Sequence, residues 1–462
     1  MLPESFKSVP GMILIFTMLS LPLVSLAAAE NSETDATDLT VAVNGDAARL
    51  AVFDPDAGDD PVAAELAIMR GLDPVAAENA AVYYLQAMLI LPPRDEKFDA
   101  VNGTADRFQL LQNGDFRGVL PLSEIDSLVR SALHCRLCDF HTDTSQGVSA
   151  ALPHLRQAPW LAEYMAICAD YDLVHDKPWS ALRRYMDLRE FSRDIAAGVG
   201  IVSTLSGIRL EEMQQQRLLQ ALPLLIKQGV PVKAVDNLFN TEQRPAPSVQ
   251  AAFTAETVFR DSISRAVAAL AEGDTDLFWS RLQTLYSLRR TDSLKKFAVN
   301  RGALREDELE DVTALAHFAA EELLIYRTYV SDLKRLADLK PAQRNKALAK
   351  LHKDIVADPS HGILTYSFAP VLPQFADSIF TYRRNTCAMR LLLAAITIRE
   401  ETGNYPADIN SLLQMRPDLD ITDPLTGDVF LYSQDNENVT ISWKGTRENE
   451  SESMTFTWPD AG

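Results

Sequence analysis

The sequence is poor in the residues that build nucleotide-binding loops and disulfide frameworks. It has 19 glycines and 4 cysteines in 462 residues. We find no Gly-x-Ser-x-Gly elbow, no phosphate-binding glycine loop and no dinucleotide fingerprint, which argues against the common hydrolase and nucleotide-binding folds. A catalytic triad is defined by its arrangement in space and not by sequence order, so the missing motifs do not exclude a hydrolase.

Positive charge is also scarce. The chain carries 44 lysines and arginines against 64 aspartates and glutamates, a formal net charge of −20. Such an acidic chain repels phosphate backbones, and we therefore expect no nucleic-acid partner. The hydrophobic share of 47% and the charged share of 23% are ordinary for a folded protein, so the composition predicts a globular core.

Long apolar runs are missing after the N-terminal segment. Residues 11–26 are almost wholly apolar, and the small residues 27–29 follow as a cleavage pattern. This predicts a signal peptide over residues 1–29 and an exported mature chain, periplasmic or associated with the cell envelope. Because the run is short for a membrane span and Pro22 interrupts it, a retained anchor is the weaker alternative. We expect no membrane span after cleavage.

The rest of the chain divides into three parts. Residues 30–61 are polar and acidic and are predicted to form a disordered leader. Residues 62–374 show helical periodicity, with long helices joined by short turns, which predicts stacked antiparallel helical hairpins. No sustained period of about 34 residues marks a tetratricopeptide array, so we expect irregular hairpins. Residues 375–462 form a C-terminal part of different design.

Hydrophobic periodicity and turn signals place the helices of the hairpin part. We expect helices over residues 62–72, 75–91, 124–137, 152–173, 178–197, 201–222, 232–239, 247–272, 274–289, 305–339 and 342–356. Residues 94–121 contain Asn-Gly pairs, and we expect turns there.

The C-terminal part predicts a small α+β module. Its helix, over residues 375–402, is apolar around its whole girth and is therefore expected to be buried, and Gly403 provides its stop. Alternating segments at 429–433, 439–443 and 454–458 predict a three-stranded antiparallel meander. The predicted fold class is mainly α: irregular stacked antiparallel helical hairpins with a small C-terminal α+β module, a long helix plus a three-stranded antiparallel meander.

The C-terminal part carries a family resemblance. The run Gly403-Asn404-Tyr405-Pro406, the turn Asp423-Pro424-Leu425-Thr426-Gly427 and the following Phe430-Leu431-Tyr432 resemble the globular part of type II secretion major pseudopilins. The resemblance implies a long helix, a short loop helix and a small antiparallel sheet. The methylation segment of pilins is absent, and most of the chain precedes this part, which argues against a pilin subunit.

The strongest candidate for a chemical site is the segment 134–141. Cys135 and Cys138 have the spacing of zinc ligands, and His134 and His141 would complete a tetrahedral shell. The two histidines are so close in sequence that all four side chains converge only if the segment folds sharply. A redox-active Cys-x-x-Cys pair is a second hypothesis, although the pair follows a predicted helix C-terminus, where the dipole disfavours a thiolate. The third is a structural role, as small buried residues or as a disulfide.

A second cluster, of acidic and imidazole groups, consists of Asp170, Asp172, His175 and Asp176 at a helix end. Carboxylates beside a histidine can hold a metal ion or act as acid and base. Clusters at turns are usually solvated, and we expect the same here. Zinc is the one cofactor that the sequence suggests, and no residue is assigned a catalytic role.

Three hypotheses of function follow. Residues 79–84, 138–140 and 152–155 resemble a group of uncharacterised exported bacterial proteins that join a helical region to this C-terminal module, which implies no catalytic residue. The first hypothesis is an exported, non-catalytic helical scaffold that binds another protein or an envelope component, since stacked hairpins offer long binding surfaces. The alternative is an exported metal-dependent enzyme that uses one of the two clusters. An accessory of a type II secretion-like machine is a third hypothesis, which rests on the pseudopilin resemblance alone.

Overall fold

The part of the chain that the computed structural model describes consists of residues 79–103, 106–114, 116, 120–142, 152–241, 244–252, 256–286, 291–300, 302–357, 371–444 and 451–459. These residues lie within one compact unit, Pro74–Gly462. The signal peptide predicted at 1–29, the leader at 30–61 and the helix at 62–72 lie outside the described residues and stay predictions.

The described chain is mainly helical with a small C-terminal sheet, which confirms the predicted fold class. In chain order the helices are α1 (Ala80–Leu89), α2 (Glu96–Gly103), α3 (Arg107–Asn113), α4 (Ser123–His134), α5 (Pro153–Val174), α6 (Pro178–Ala196), α7 (Gly200–Lys227), α8 (Val232–Asn240), α9 (Val249–Ala252), α10 (Glu256–Ala271), α11 (Thr275–Tyr286), α12 (Thr291–Asn300), α13 (Val312–Ala337), α14 (Pro341–Ala357), α15 (Val371–Thr402) and α16 (Ile409–Met415). The antiparallel sheet has the order β1 (Leu431–Gln434), β2 (Asn438–Lys444), β3 (Ser451–Thr457).

Three consecutive long helices, α5, α6 and α7, form the centre of the hairpin stack. Short turns join them, and each packs against the next, as short connections require of antiparallel helices. Pro153 and Pro178 stand in the first turns of α5 and α6, where a proline costs no backbone hydrogen bond. Gly207 of α7 lies so close to α6 that an added Cβ would come within 2.4 Å of the Ser192 carbonyl oxygen. The two helices therefore depend on a residue without a side chain at this crossing.

Helix α7 continues beyond the end that the sequence predicted at residue 222. It includes Pro223 and ends at Lys227. The proline removes one helical hydrogen bond, but Leu222 and Leu225 on either side of it are fully buried. The predicted boundary was wrong because packing outweighs the local breaker signal.

Three other regions differ from the prediction. Residues 94–121 contain the short helices α2 and α3 where turns were expected, and the buried Phe98 of α2 explains why this part folds back on the core. Helix α12 had no predicted counterpart, and its Leu294 is fully buried. The helix expected over residues 305–339 begins only at Val312, after a short 3-10 turn.

Helix α15 is the apolar helix that the sequence predicted to be buried, and this prediction is confirmed. From residue 388 to 398 every side chain except Arg390 is buried. The helix packs against α7, α8 and the inner face of the sheet, which contributes Val439, Ile441 and Phe456. Within the described ranges, no helix combines the length and the sustained hydropathy that a membrane crossing requires.

Candidate functional site

The predicted zinc segment follows the end of α4. His134 is the last residue of that helix, and Cys135 is its C-cap. The buried Cys135 thiol donates a hydrogen bond to the Ser131 carbonyl oxygen at 3.3 Å, whereas His141 is exposed and has a positive φ of 46°. Among the described residues, no group of three or more His, Cys, Asp or Glu side chains is placed to hold a metal ion. The structure therefore does not gather the four predicted ligands, which include Cys138, into a zinc shell.

The two cysteines of this segment are free thiols. Burial, and then the nearby Asp194 carboxylate, raise the pKa of Cys138 well above its ordinary value. Such a thiol stays protonated at neutral pH, and it is the thiolate that acts as nucleophile and metal ligand. The geometry favours a structural role for Cys135 and Cys138. Zinc binding stays a prediction, and metal analysis of the purified protein would test it.

The segment that follows Cys135 holds the beginning of α1. The Asn79 side chain caps α1 by accepting a hydrogen bond from the Ala81 N–H at 3.1 Å. The same side chain exchanges two bonds with the backbone of Asp139, donating at 2.5 Å and accepting at 2.8 Å. The Ala80 N–H donates to the Leu137 carbonyl oxygen at 2.8 Å. Residues 137–139 thus position α1 through their backbone groups. This gives the segment a structural role.

A buried ionic group fixes α1 from the opposite side. The Tyr84 hydroxyl donates to Asp194 of α6 at 2.7 Å, and Arg244 Nε pairs with the other Asp194 oxygen at 2.8 Å. Arg244 also donates through Nη2 to the Cys135 carbonyl oxygen at 2.5 Å. Burial raises the pKa of Asp194 to about 6 in spite of these donors. Asp194 therefore links α1 to α6 directly, and Arg244 connects it to the segment after α4.

The outer face of α1, formed by Val82, Leu85, Leu89 and Ile90, is mostly apolar and exposed to solvent, and the exposed Gln86 is its polar member. The exposed fractions are 48%, 38%, 84% and 45%, and the neighbouring Leu137 is 56% exposed. The opposite side of the helix packs against α4 and α5. A contiguous apolar surface on a folded protein commonly marks a site of protein interaction. Here the Asn79 cap and the Tyr84 bond to Asp194 fix the position of the helix that carries this surface.

Asp170 is buried, contrary to the solvation that we expected for the second predicted cluster. It accepts hydrogen bonds from Arg107 Nε at 2.9 Å and from Arg217 Nη1 at 2.8 Å, and the Tyr185 hydroxyl donates to its other oxygen. The partners belong to α3, α7 and α6, so this carboxylate of α5 ties four helices together. Removing a charge from water costs several kcal/mol, and only such a set of donors offsets that cost.

Asp172 is also buried, whereas the other two members of the cluster are not. Its Oδ2 accepts from Arg184 Nε and from Ser180 Oγ, both at 2.7 Å. His175 and Asp176 lie in the exposed turn between α5 and α6, as expected for a solvated turn. The four residues are therefore divided between the core and the surface, and they do not form one reactive site.

The most deeply buried ionic group of the described chain was not predicted. Glu211 of α7 lies between Arg189 and Arg193 of α6, with its oxygens 3.0 Å from Arg189 Nε and 3.2 Å from Arg193 Nε. All three side chains are at most 1% exposed. The sequence signal was an i, i+4 pair of arginines, which is usually read as a solvated helix face. The group is surrounded by helices and serves the contact between α6 and α7.

The buried carboxyl group of Glu190 should make the stability of the fold depend on pH. Burial raises its pKa from the ordinary value to about 7, so the folded state binds this proton more tightly than the unfolded state does. Stability from this group should therefore rise as the pH falls from about 8 to about 5, and level off below the unfolded-state pKa. We expect urea unfolding to show this slope, and Glu190→Gln to reduce it. An unchanged slope in the variant would contradict the assignment.

Comparison with known proteins does not identify the protein. No family model matches the sequence, and no curated protein and no solved structure is similar to it. The function must therefore be inferred from the site itself.

Proposed function

We propose that the protein is an exported, non-catalytic helical scaffold that binds another protein of the cell envelope through the outer face of α1. The observation that carries the proposal is the exposed row Val82, Leu85 and Leu89, at helix spacing i, i+3 and i+7, with Ile90 beside it. Apolar side chains in such a row match an apolar helix or strand of a partner.

The partner is expected to surround its apolar side chains with basic residues. The chain has a net charge of −20, and interfaces are usually complementary in charge, which speeds association and disfavours wrong partners. The buried ionic groups support the scaffold role, because the carboxylates of Asp170, Asp194 and Glu211 all bind neighbouring helices through arginine or tyrosine. Their charges are used to hold helices in place.

The test replaces two leucines of the outer face in the full-length mature protein. Leu85→Asp together with Leu89→Asp places two carboxylates in the centre of the surface. We expect the immobilised variant to lose, by about tenfold or more, at least one envelope protein that the unaltered protein retains from detergent extract, since the few hot-spot residues near the centre of an interface cost about 2 kcal/mol or more when truncated. Quantitative mass spectrometry of the retained proteins measures this loss.

Leu324→Asp serves as the matched control. Leu324 of α13 is 66% exposed and lies outside the α1 outer face, so this change adds a carboxylate without touching the proposed surface. Surface changes of this kind shift stability by only about 0.5 kcal/mol, and thermal unfolding would check that all variants are folded. Retention of the same proteins by the control and by the Leu85 and Leu89 variant would refute the proposal.

A further inference from the structure

The strand β3 forms one edge of the sheet, and no strand of the described chain pairs with its outer side. It is 7 residues long and contains neither proline nor lysine, the residues that commonly protect edge strands. The opposite edge strand, β1, has 4 residues, and the Phe430 N–H just before it already donates to the Ile421 carbonyl oxygen. β3 is therefore the longer and less protected edge.

The hydrogen-bond pattern shows which residues of β3 face outward. The Trp458 N–H donates to the Glu437 carbonyl oxygen at 2.7 Å, in the register that pairs Thr457 with Asn438. Bonded and non-bonded pairs alternate along an antiparallel ladder, so every second residue of β3 directs its N–H and C=O groups away from β2. The outward-facing residues are Ser451, Ser453, Thr455 and Thr457.

Within the described part of this edge, the outward-facing residues carry no charged side chain. The four outward-facing residues all have hydroxyl side chains, and they are exposed. Thr455 Oγ1 lies 3.0 Å from Thr440 Oγ1 of β2 on the solvent face. The one charged residue of the strand, Glu452, alternates to the other face, where it pairs with Arg384 at 2.7 Å. An approaching strand therefore meets unpaired backbone groups and hydroxyls.

We infer that the open edge of β3 binds an extended segment of another polypeptide, which adds a fourth strand to the sheet. Only an extended backbone offers donors and acceptors at the spacing of the outward-facing groups. The segment is expected to be net basic, because a chain of net charge −20 attracts basic partners and repels a second copy of itself. This surface is separate from the outer face of α1, and the inference stands without the function proposed above.

The test uses a short synthetic peptide of alternating threonine and lysine as the probe, with the full-length mature protein. Fluorescence anisotropy is expected to show saturable binding, and amide exchange should slow at Ser453 and Thr455. A second peptide of the same charge carries a proline in place of its central threonine and cannot form a continuous strand. Its affinity should be at least about tenfold lower than that of the first peptide, since several backbone hydrogen bonds are lost. Equal binding of both peptides would mean attraction by charge alone and would overturn the inference.

A variant pair localises the binding to the edge. Thr455→Pro removes an outward-facing N–H and no backbone bond to β2, and besides it only the exposed hydroxyl contact with Thr440 is lost. The sheet should therefore persist while binding of the probe falls about tenfold. Ser453→Ala is the control, because it keeps the backbone and should leave binding unchanged. Unchanged binding by a folded Thr455→Pro protein would overturn the inference. So would a dimer in light scattering that this variant abolishes, since a second copy would then occupy the edge. If the variant does not fold, the comparison of the two peptides on the unaltered protein still decides.

Discussion

Replacing Glu211 by glutamine is expected to lower the free energy of unfolding by about 3–5 kcal/mol. The carboxylate lies between Arg189 and Arg193, and its oxygens contact the Nε atoms of both at 3.0 Å and 3.2 Å. The amide keeps the shape of the side chain but removes its negative charge. Two guanidinium groups would then stay buried without their counter-ion, which costs far more than the loss of an exposed pair.

Urea unfolding followed by circular dichroism measures this effect against a matched control. Glu401→Gln makes the same chemical change at the exposed pair between Lys233 and Glu401, whose charged atoms lie 2.9 Å apart. Exposed pairs contribute between about 0 and 1 kcal/mol, so the control should unfold almost like the unaltered protein. A similar small loss in both variants would show that the buried pairs do not hold α6 to α7.

Replacing Gly207 by alanine is the change with the second largest expected effect. An added Cβ would lie 2.4 Å from the Ser192 carbonyl oxygen and 2.5 Å from the Ala196 Cβ. These are backbone atoms or atoms fixed to the backbone, so no rotamer change relieves the clash and α6 must move away from α7. Overpacking of this kind costs about 1–3 kcal/mol, although alanine is the better helix former by about 1 kcal/mol. We expect a net loss of stability.

Thermal and urea unfolding of Gly207→Ala would measure this loss, with Ser206→Ala as the control. Ser206 is half-buried, and its hydroxyl bonds only the Val202 carbonyl oxygen of its own helix. Its replacement should change stability by about 0.5 kcal/mol at most. A Gly207→Ala variant more stable than the unaltered protein would contradict this expectation. Helix propensity would then outweigh the clash, and α6 and α7 would have room for a side chain at this crossing.

The class and order of the helices could be predicted because burial imposes a period on the sequence. Helices α5, α6 and α8 begin and end within one or two residues of the predicted bounds. The buried apolar helix α15 was also predictable, because few polar residues interrupt it. The end of α7 could not be predicted, because Pro223 is a local signal whereas the packing of Leu225 depends on residues far away in the sequence.

The candidate sites were harder to predict from the sequence. A helix surrounded by other helices can bury charges that look solvated, and Asp170 and Glu211 are such cases, because their arginine partners come from other helices. The outer face of α1 was not proposed as a binding surface from the sequence. Most residues of that helix are apolar, and which of them stay uncovered depends on the neighbouring helices. Both gaps arise from the tertiary arrangement of helices, which a local pattern does not contain.

The central claim, that the outer face of α1 binds a partner protein, is tested most directly by crosslinking in cells that make the protein. A photo-crosslinking amino acid replaces Leu89 in one variant and Leu324, another exposed leucine, in a second variant. We predict a discrete protein adduct from position 89, which disappears when Leu85→Asp is added, and no such adduct from position 324. The absence of an adduct at position 89, or the same adduct from both positions, would contradict the claim.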